Sequence, residues 1–294
     1  MANPVEEQIG RLALIAGNGS LPGQIADALA SDGREFEVVA IKGEANAATR
    51  HMAGVVLGWG EVGRLYNFLK NNGCEDVLLI GGVTRRPDFT SIFGDFGTFR
   101  RLPSIFRALT GGDDSLLTKV IRLFEKEGFR VVGIKDVVPQ LLASSGVLGN
   151  VQPKSKDWHD LELALKATEK LGELDIGQAA VAVGGRVIAL EGAEGTDAML
   201  VRCADLKNSG RVRNKGRSGV LVKTAKPGQD LRVDLPTIGP KTIELAVLAG
   251  LCGIAVEAHG ALISNKEETL RRADSEGLFL IGIDGSSEAE EAGK

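Results

Sequence analysis

The chain has 294 residues, 43% of them hydrophobic and 25% charged, with a formal net charge of −4. This length exceeds that of most single domains, the composition is that of a globular protein, and the weak charge gives no reason to expect a nucleic-acid partner. Cys74, Cys203 and Cys252 form no C-x-x-C pair, which argues against a zinc site or a disulfide framework. No apolar run reaches the roughly 18 to 20 residues that span a bilayer. We therefore expect a soluble, cytoplasmic protein of two domains.

The first half of the chain alternates short apolar runs with helical patterns. Strands are predicted over residues 11–16, 36–41, 77–80 and 129–134, and a helix over residues 24–31. A further helix, capped by Asp113 or Asp114, carries Leu116, Leu117, Val120, Ile121 and Phe124 on one face. Strands that alternate with helices predict an α/β fold, with a Rossmann-like parallel-sheet domain over residues 1–143.

The second half has a looser pattern of helices and strands. Residues 144–154 are small and turn-forming, which is typical of a linker, and residues 155–286 are predicted to form a mixed α/β domain. The elements predicted there are a helix over 156–171, strands over 179–183, 187–190, 219–223 and 231–233, a helix over 240–249, a strand over 254–258, a helix over 266–275 and a strand over 278–283. Residues 287–294 are small, acidic and aperiodic, which predicts a disordered tail.

A glycine-containing turn joins the first predicted strand to the first predicted helix. Gly17, Asn18, Gly19 and Ser20 occupy it, and such a turn offers free backbone N–H groups and a positive helix end to a phosphate. The spacing of Gly17, Gly19 and Gly23 differs from the dinucleotide fingerprint, so a nicotinamide or flavin cofactor is less favoured. The turn is a candidate phosphate or nucleotide site, and glycines that only permit a tight turn are the alternative.

Half of the ten phenylalanines fall between residues 89 and 106, among them Phe96 and Phe99, and arginines are interleaved with them. Such a segment could contact an apolar ligand and its anionic head group together. Closure of the first domain's core, or a dimer interface, is the alternative. Peripheral membrane contact is a third interpretation.

Acidic residues concentrate in two segments of the second half. Strand periodicity would place Asp230, Arg232 and Asp234 on one face of the strand predicted at 231–233, where the carboxylates could hold a hard cation and the arginine a phosphate oxygen. The segment from Glu191 to Asp197, which includes Glu194 and Thr196, follows another predicted strand. A solvated ladder of paired charges is the alternative for the Asp-Arg-Asp face.

Cationic and turn residues could bind the anion beside these acids. Arg202, Lys223 and the turn from Thr237 to Thr242, which opens a helix with Pro240, could do so. The three histidines are scattered and add no metal motif. The combination of carboxylates and cations is typical of Mg²⁺-assisted phosphoryl chemistry.

Five segments resemble one known family. They are Leu14–Pro22, Gly81–Pro87, Asp175–Gln178, Glu191–Asp197 and Gln229–Gly239. They resemble the UDP-2,3-diacylglucosamine pyrophosphatases of lipid A biosynthesis, in the two-domain branch unrelated to calcineurin-like phosphoesterases, and the resemblance spans Leu12 to about Ile283. It implies an enzyme that hydrolyses UDP-2,3-diacylglucosamine to 2,3-diacylglucosamine 1-phosphate and UMP, with Mg²⁺ or Mn²⁺, at a site between the domains.

The resemblance also implies roles for particular residues. Asp230 and Asp234 would bind metal or activate water, with Asp197, Glu194 and Glu191 behind them as metal ligands. Arg232 and Lys223 would act as catalytic groups that neutralise the pyrophosphate. The remaining expected substrate contacts are Gly17, Asn18, Gly19, Ser20, Gln178, Thr196, Gln229, Thr237, Phe96 and Phe99.

The expected partners are the lipid-linked UDP-sugar, a peripheral contact with the cytoplasmic face of the inner membrane, and a second copy in a homodimer. Two other functions stay open at this point. One is a nucleotide-dependent oxidoreductase, which the strand-turn-helix start favours. The other is a non-catalytic module that binds a sugar nucleotide or lipid.

Overall fold

The computed structural model describes residues 9–83, 116–212 and 216–284. The chain divides into two compact units. The first comprises Met1–Val138 and Arg232–Asp234, and the second comprises Pro139–Leu231 and Leu235–Lys294. The phenylalanine-rich segment with Phe96 and Phe99, the caps predicted at Asp113 or Asp114 and the tail predicted over 287–294 lie outside the described residues.

The first unit is built on a parallel five-stranded sheet. Its strands are β1 (Leu12–Ala16), β2 (Phe36–Ile41), β3 (Val55–Leu57), β4 (Asp76–Ile80) and β5 (Arg130–Val131), in the order β3-β2-β1-β4-β5. Its helices are α1 (Leu21–Ser31), α2 (Ala47–Met52), α3 (Val62–Asn71), α4 (Leu116–Lys126) and α5 (Ile134–Val137). The α/β prediction with a Rossmann-like parallel sheet is confirmed.

Apolar periodicity explains how these elements pack. Every residue of β1 is buried, as expected for a central strand of a parallel sheet. Helix α1 begins with Pro22 in its first turn and buries Ile25 and Leu29, four positions apart, on one face. Tyr66 of α3 stacks on Phe129 with ring centroids 5.9 Å apart, so α3 is fixed against the β5 side of the sheet.

The second unit contains a mixed six-stranded sheet. Its strands are β6 (Gly146–Val147), β7 (Ala179–Ala182), β8 (Val187–Leu190), β9 (Val220–Lys223), β11 (Gly253–Glu257) and β13 (Phe279–Ile283), in the order β6-β13-β11-β9-β7-β8. Strands β9, β11 and β13 are parallel, whereas β7 runs antiparallel to both β9 and β8. Two short parallel strands, β10 (Thr237–Ile238) and β12 (Leu262–Ile263), pair separately.

Helices cover both faces of the second sheet. They are α6 (Ser155–Glu173), α7 (Gly195–Asn208), α8 (Pro240–Leu248) and α9 (Lys266–Ser275). Leu161 and Ala164 of α6 pack with Ala180 and Val222, while Met199 of α7 belongs to the apolar cluster on the other face. Successive side chains along the strands therefore point alternately into two apolar clusters, one on each face of the sheet. Because both faces are buried, the strand sequences are nearly continuous apolar runs.

Several predicted elements differ from the structure. The strand predicted over 129–134 ends at Val131, because Gly133 caps α5 and its amide donates to the Asp136 carboxylate at 2.9 Å. The stretch 144–154, interpreted as a linker, contains β6, which pairs with β13. Helices α2, α3 and α7 and strand β3 were not predicted.

The strand predicted over residues 231–233 is wrong, since these residues form a turn. Val233 packs against the apolar cluster of the first unit, whereas Leu231 belongs to the second unit. The apolar residues of the segment 231–233 therefore do not lie on one face of a sheet. Asp230, Arg232 and Asp234 accordingly do not form the predicted row on a strand.

Candidate active site

Most of the predicted site residues of the second unit lie at one edge of its sheet. Strand β8 runs parallel to β9, because both are antiparallel to β7, so both strands end at the edge where β7 begins. Ala179 lies opposite Lys223, and Ala180 lies opposite Leu190. This register brings Gln178, Glu191 and Lys223 to the same edge.

Glu191 is buried directly after β8, with 6% of its surface exposed. Its Oε1 accepts the Thr196 hydroxyl at 2.7 Å, and its Oε2 accepts the backbone N–H of Gln178 at 3.0 Å. A buried carboxylate needs such donors because desolvation otherwise penalises its charge. Both oxygens of Glu191 are thus engaged by the protein itself.

Lys223 ends β9 and is also buried, with 8% of its surface exposed. Its Nζ donates to Thr196 Oγ1 at 2.9 Å and to the backbone carbonyl of Thr237 at 3.1 Å. The Thr237 hydroxyl donates to the Leu235 carbonyl at 3.1 Å, so Thr237 meets Lys223 through its main chain. The structure therefore joins Glu191, Thr196 and Lys223 into one buried cluster.

The backbone before β7 approaches this cluster closely. A Cβ at Gly177 would lie 2.2 Å from the Glu191 carbonyl oxygen, so only glycine permits the contact. The carbonyl of Gln178 accepts the Thr224 N–H at 3.1 Å. The buried side-chain Oε1 of Gln178 has no hydrogen-bond partner among the described residues. Gln178 thus presents a buried amide oxygen to which no group in the described part of the chain donates.

The two other acids of the Glu191–Asp197 segment face outward in ion pairs. Glu194 occupies the N-cap position of α7, and its side chain pairs with Arg202 at 2.8 Å. Asp197, in the first turn of α7, pairs with Lys241 at 2.8 Å. The backbone amide of Glu194 itself, and then Arg202, lower the pKa of the Glu194 carboxyl. The neighbouring Asp197 raises the pKa of Lys241. Both carboxylates are thus already held by a cation at the start of α7.

The segment that contains Gln229, Asp230, Arg232 and Asp234 follows β9 as loop and turns. Gln229 Oε1 accepts the Lys226 N–H at 2.9 Å, while the Gln229 N–H donates to the Lys226 carbonyl at 3.1 Å, which closes a turn. Arg232, in the first unit, pairs with Glu125 of α4 at 3.1 Å, and both side chains are partly exposed. Asp230 belongs to the second unit and Asp234 to the first.

The glycine turn of the first unit differs from the prediction. The N–H groups of Gly17 and Asn18 donate to the carbonyls of Ile80 and Gly82, and the Gly19 N–H donates to Asn18 Oδ1. The prediction that this turn offers free N–H groups is therefore wrong for Gly17, Asn18 and Gly19. The turn packs instead against the glycine pair that follows β4.

Sequence reasoning overlooked Glu257, which ends β11 at the same edge as Lys223. Its Oε2 accepts the Ala225 N–H at 2.8 Å and so fixes the chain just after β9. An acid at the carboxyl end of a buried parallel strand is the signal that could have identified it. Glu257 supports the loop that leads to Gln229 and Asp230.

The predicted metal ligands do not converge on a ready-made cation site. Within residues 9–83, 116–212 and 216–284, no group of three or more His, Cys, Asp or Glu side chains lies close enough to hold a metal ion. Enzymes that act on phosphates commonly hold Mg²⁺ by one or two carboxylates together with substrate oxygens and water. A single carboxylate such as that of Asp230 could share a cation with substrate oxygens in this way.

Comparisons with known proteins define the class to which this fold and site belong. Residues 11–141 match the LpxI N-terminal domain, and residues 144–281 match the LpxI C-terminal domain. The chain is also 42% identical over 274 residues to the UDP-2,3-diacylglucosamine pyrophosphatase LpxI of Caulobacter vibrioides, an alignment that covers 93% of this chain and 98% of that protein. The chain therefore belongs to the LpxI family, and the family predicted from its sequence segments is confirmed.

A solved structure of another class shows only a weak likeness. The biotin carboxylase domain of 2-oxoglutarate carboxylase from Hydrogenobacter thermophilus aligns with 69% of this chain and 43% of its own, at 13% identity and a TM-score of 0.24. This similarity is too low to bear on fold or function.

Proposed function

We propose that this protein hydrolyses the pyrophosphate bond of UDP-2,3-diacylglucosamine, giving 2,3-diacylglucosamine 1-phosphate and UMP, in lipid A biosynthesis. The observation that carries the proposal is the 42% identity, over 93% of the chain, to a relative that is named as the pyrophosphatase of this compound. The buried ammonium group of Lys223 supports it, since pyrophosphate hydrolysis depends on stabilising negative charge.

The main task of the protein in this reaction is electrostatic. As water attacks one phosphorus and the bridging oxygen leaves, negative charge collects on the phosphoryl oxygens. Lys223 would bind such an oxygen with its ammonium group, and burial strengthens that interaction because little water screens it. Arg232 is the second proposed cation. To bind a phosphoryl oxygen of the substrate, it would leave its ion pair with Glu125.

Polar side chains would orient the water and the substrate hydroxyls. The amide oxygen of Gln178 suits this role, because it is buried and has no hydrogen-bond donor among the described residues. Gln229, Thr196 and Thr237 are the other proposed contacts in the second unit. In the first unit Gly17, Asn18, Gly19 and Ser20 stay predicted contacts, although the N–H groups of the first three already have acceptors.

We also propose that the reaction requires Mg²⁺ or Mn²⁺. Asp230 and Asp234 are the first candidates for its carboxylate ligands or for activation of the attacking water. Glu194 and Asp197 would have to leave Arg202 and Lys241 to bind a cation. When bound, the cation would neutralise phosphoryl charge and lower the pKa of a coordinated water.

We place the enzyme in the cytoplasm, with peripheral contact to the inner membrane, because the proposed substrate is amphiphilic. In the parts of the chain that the structure describes, none of the helices has the length and apolar character that crossing a bilayer requires. The proposed partners are the lipid-linked UDP-sugar and a second copy of the chain. Cell fractionation would test the location and the membrane contact, and sedimentation of the purified protein would test the homodimer.

The direct test is release of UMP from UDP-2,3-diacylglucosamine, measured with Mg²⁺ and with excess EDTA. The native chain should release UMP only with the cation, and Asp230→Ala or Asp234→Ala should lower the rate ~10²-fold or more. Asp205→Ala, which removes an exposed carboxylate from the last turn of α7, is the matched control and should leave the rate unchanged.

Each outcome of this test has a definite meaning. No release with any divalent cation would contradict the hydrolase and favour a module that only binds the sugar nucleotide. Release of UMP that continues in EDTA would contradict the requirement for a divalent cation but would still support the hydrolase. Native rates in both variants would move the carboxylate role away from Asp230 and Asp234.

A further inference from the structure

Three buried side chains at the edge of the second sheet form a continuous hydrogen-bonded relay. Lys223 Nζ lies 2.9 Å from Thr196 Oγ1, which lies 2.7 Å from Glu191 Oε1. An ammonium group can only donate and a carboxylate can only accept. The Thr196 hydroxyl therefore accepts from Lys223 and donates to Glu191, so the direction of both bonds is fixed by the charges.

The relay is anchored at both ends by backbone groups. Glu191 Oε2 holds the Gln178 N–H at 3.0 Å, and Lys223 holds the Thr237 carbonyl at 3.1 Å. These contacts connect β9 to the start of β7, the end of β8 and the short strand β10. Rotation of the Lys223 amine would break its bonds to Thr196 of α7 and to Thr237 of β10, so its place is well defined.

Stability alone is a weak reason for such a group. Two opposite charges that are less than a tenth exposed carry a large desolvation cost, and apolar residues of similar volume often replace buried ion pairs without loss of stability. The relay also ends at Lys223, the side chain that we propose stabilises the negative charge of the pyrophosphate. A preorganised cation is the form of charge stabilisation that needs no reorganisation during reaction.

We propose that Glu191 is a positioning residue that holds the Lys223 ammonium in place through the Thr196 hydroxyl, rather than a metal ligand. This inference rests on the proposed function, because it gives Lys223 the pyrophosphate as its target. Glu191 contributes negative charge that attracts the ammonium group of Lys223 and keeps it aligned. Thr196 transmits this effect by accepting one hydrogen bond and donating the other.

The test compares variants of the full chain that keep or break the relay. Thr196→Val preserves volume but removes the hydroxyl, and it should lower kcat by roughly 10²-fold, the usual effect of losing one preorganised donor, with a smaller change in KM. Thr196→Ser keeps the hydroxyl and should recover most of that loss. Thr168→Val is the matched control, and its kcat should stay native. Thr168 is also a buried helical threonine, but its hydroxyl donates to the Ala164 carbonyl of its own helix at 2.6 Å and takes no part in the relay.

A double-mutant cycle with Lys223→Met asks whether Thr196 acts through the lysine. In the Lys223→Met background Thr196→Val should have almost no further effect on kcat, whereas independent effects would multiply. Multiplying effects, a serine variant as slow as valine, or an equal loss in Thr168→Val would each overturn the proposal. If Thr196→Val does not fold, Glu191→Gln takes its place in the same cycle.

A measurement without substrate separates this inference from the proposed function. The ammonium protons of Lys223 should give a slowly exchanging NMR signal in ¹⁵N-lysine-labelled native and Thr196→Ser protein, and the signal should vanish in Thr196→Val. Persistence of the signal in the valine variant would contradict the relay. Absence of UMP release by the native chain, with the relay signal intact, would instead count against the hydrolase alone.

Discussion

Asp76 and Arg130 form a bidentate ion pair between the neighbouring parallel strands β4 and β5. Arg130 Nε lies 2.6 Å from Asp76 Oδ1, and Arg130 Nη2 lies 2.8 Å from Asp76 Oδ2. The same Oδ2 accepts the Gly10 N–H at 2.6 Å, just before β1. Asp76 is only 1% exposed, so one carboxylate ties three segments of the first sheet together.

Asp76→Asn should therefore destabilise the first unit. An asparagine amide carries no charge and has one acceptor oxygen in place of two. One of the two Arg130 donors, Nε–H or Nη2–H, therefore loses its acceptor. We expect the free energy of opening of the β1 and β4 amides, measured by native-state hydrogen exchange, to fall by roughly 1.5 to 3 kcal/mol. Glu173→Gln, which breaks the exposed Lys170–Glu173 pair of α6, is the control and should leave these amides unchanged. Unchanged protection in Asp76→Asn would show that the ion pair is dispensable.

Gly17→Ala should disturb the contact between the loops that follow β1 and β4. A Cβ at Gly17 would lie 2.5 Å from the Gly82 carbonyl oxygen, a backbone atom that cannot move away cheaply. We expect a loss of about 1 to 3 kcal/mol in the free energy of unfolding, from urea denaturation followed by circular dichroism. Gly23→Ala is the comparison, because its Cβ would meet only Met52 Cε at 3.9 Å, and it should be neutral or stabilising by up to about 1 kcal/mol. Equal stability of the two variants would contradict the steric argument.

The sequence predicted the elements whose apolar pattern is sharp. Strands β2 and β8 and helix α9 have the bounds that their patterns predicted, because each is a short run delimited by polar or turn residues. Helix α7 was missed because it starts with glycine after an acidic turn and its apolar stripe is narrow. Met199 and Leu200 are fully buried, whereas the adjacent Val201 is about half exposed. Tertiary packing, rather than periodicity, decides that such a segment is helical.

The candidate site was predicted in composition but not in arrangement. Local sequence indicated Glu191, Thr196 and Lys223, yet their mutual contacts depend on the antiparallel register of β7 with β8 and β9, which connects residues far apart in the chain. The run around Arg232 alternates like a strand, and four or five residues are too few to separate a strand from a turn. Val233 of this run packs against the first unit's apolar cluster instead, whereas Leu231 belongs to the second unit.

Asp230→Asn should raise the concentration of divalent cation that the enzyme requires. Removing the charge of a carboxylate that shares the cation with substrate oxygens weakens binding by about tenfold or more, while the rate at saturating cation changes less. The half-saturating Mg²⁺ concentration for UMP release, and Mn²⁺ binding in the presence of UDP followed by electron paramagnetic resonance, measure this effect. Asp205→Asn serves as the exposed-acid control. An unaltered Mg²⁺ requirement in Asp230→Asn would leave Asp234 as the first candidate ligand.

Alkaline pH should destabilise the second unit through Cys252. Burial, followed by the neighbouring Asp157, raises the pKa of this thiol from 9.0 to about 12. Its Sγ lies 3.3 Å from both Asp157 Oδ1 and the Gly219 carbonyl, which favour the protonated thiol. Because the folded-state pKa is raised, the stability contributed by the neutral thiol is complete below pH 9 and is lost as the pH rises towards 12. Melting temperatures between about pH 8.5 and 11 should therefore fall more steeply for the native chain than for Cys252→Ala, since every other titrating group is common to both. Parallel curves would show that the thiol gains no protection from its surroundings.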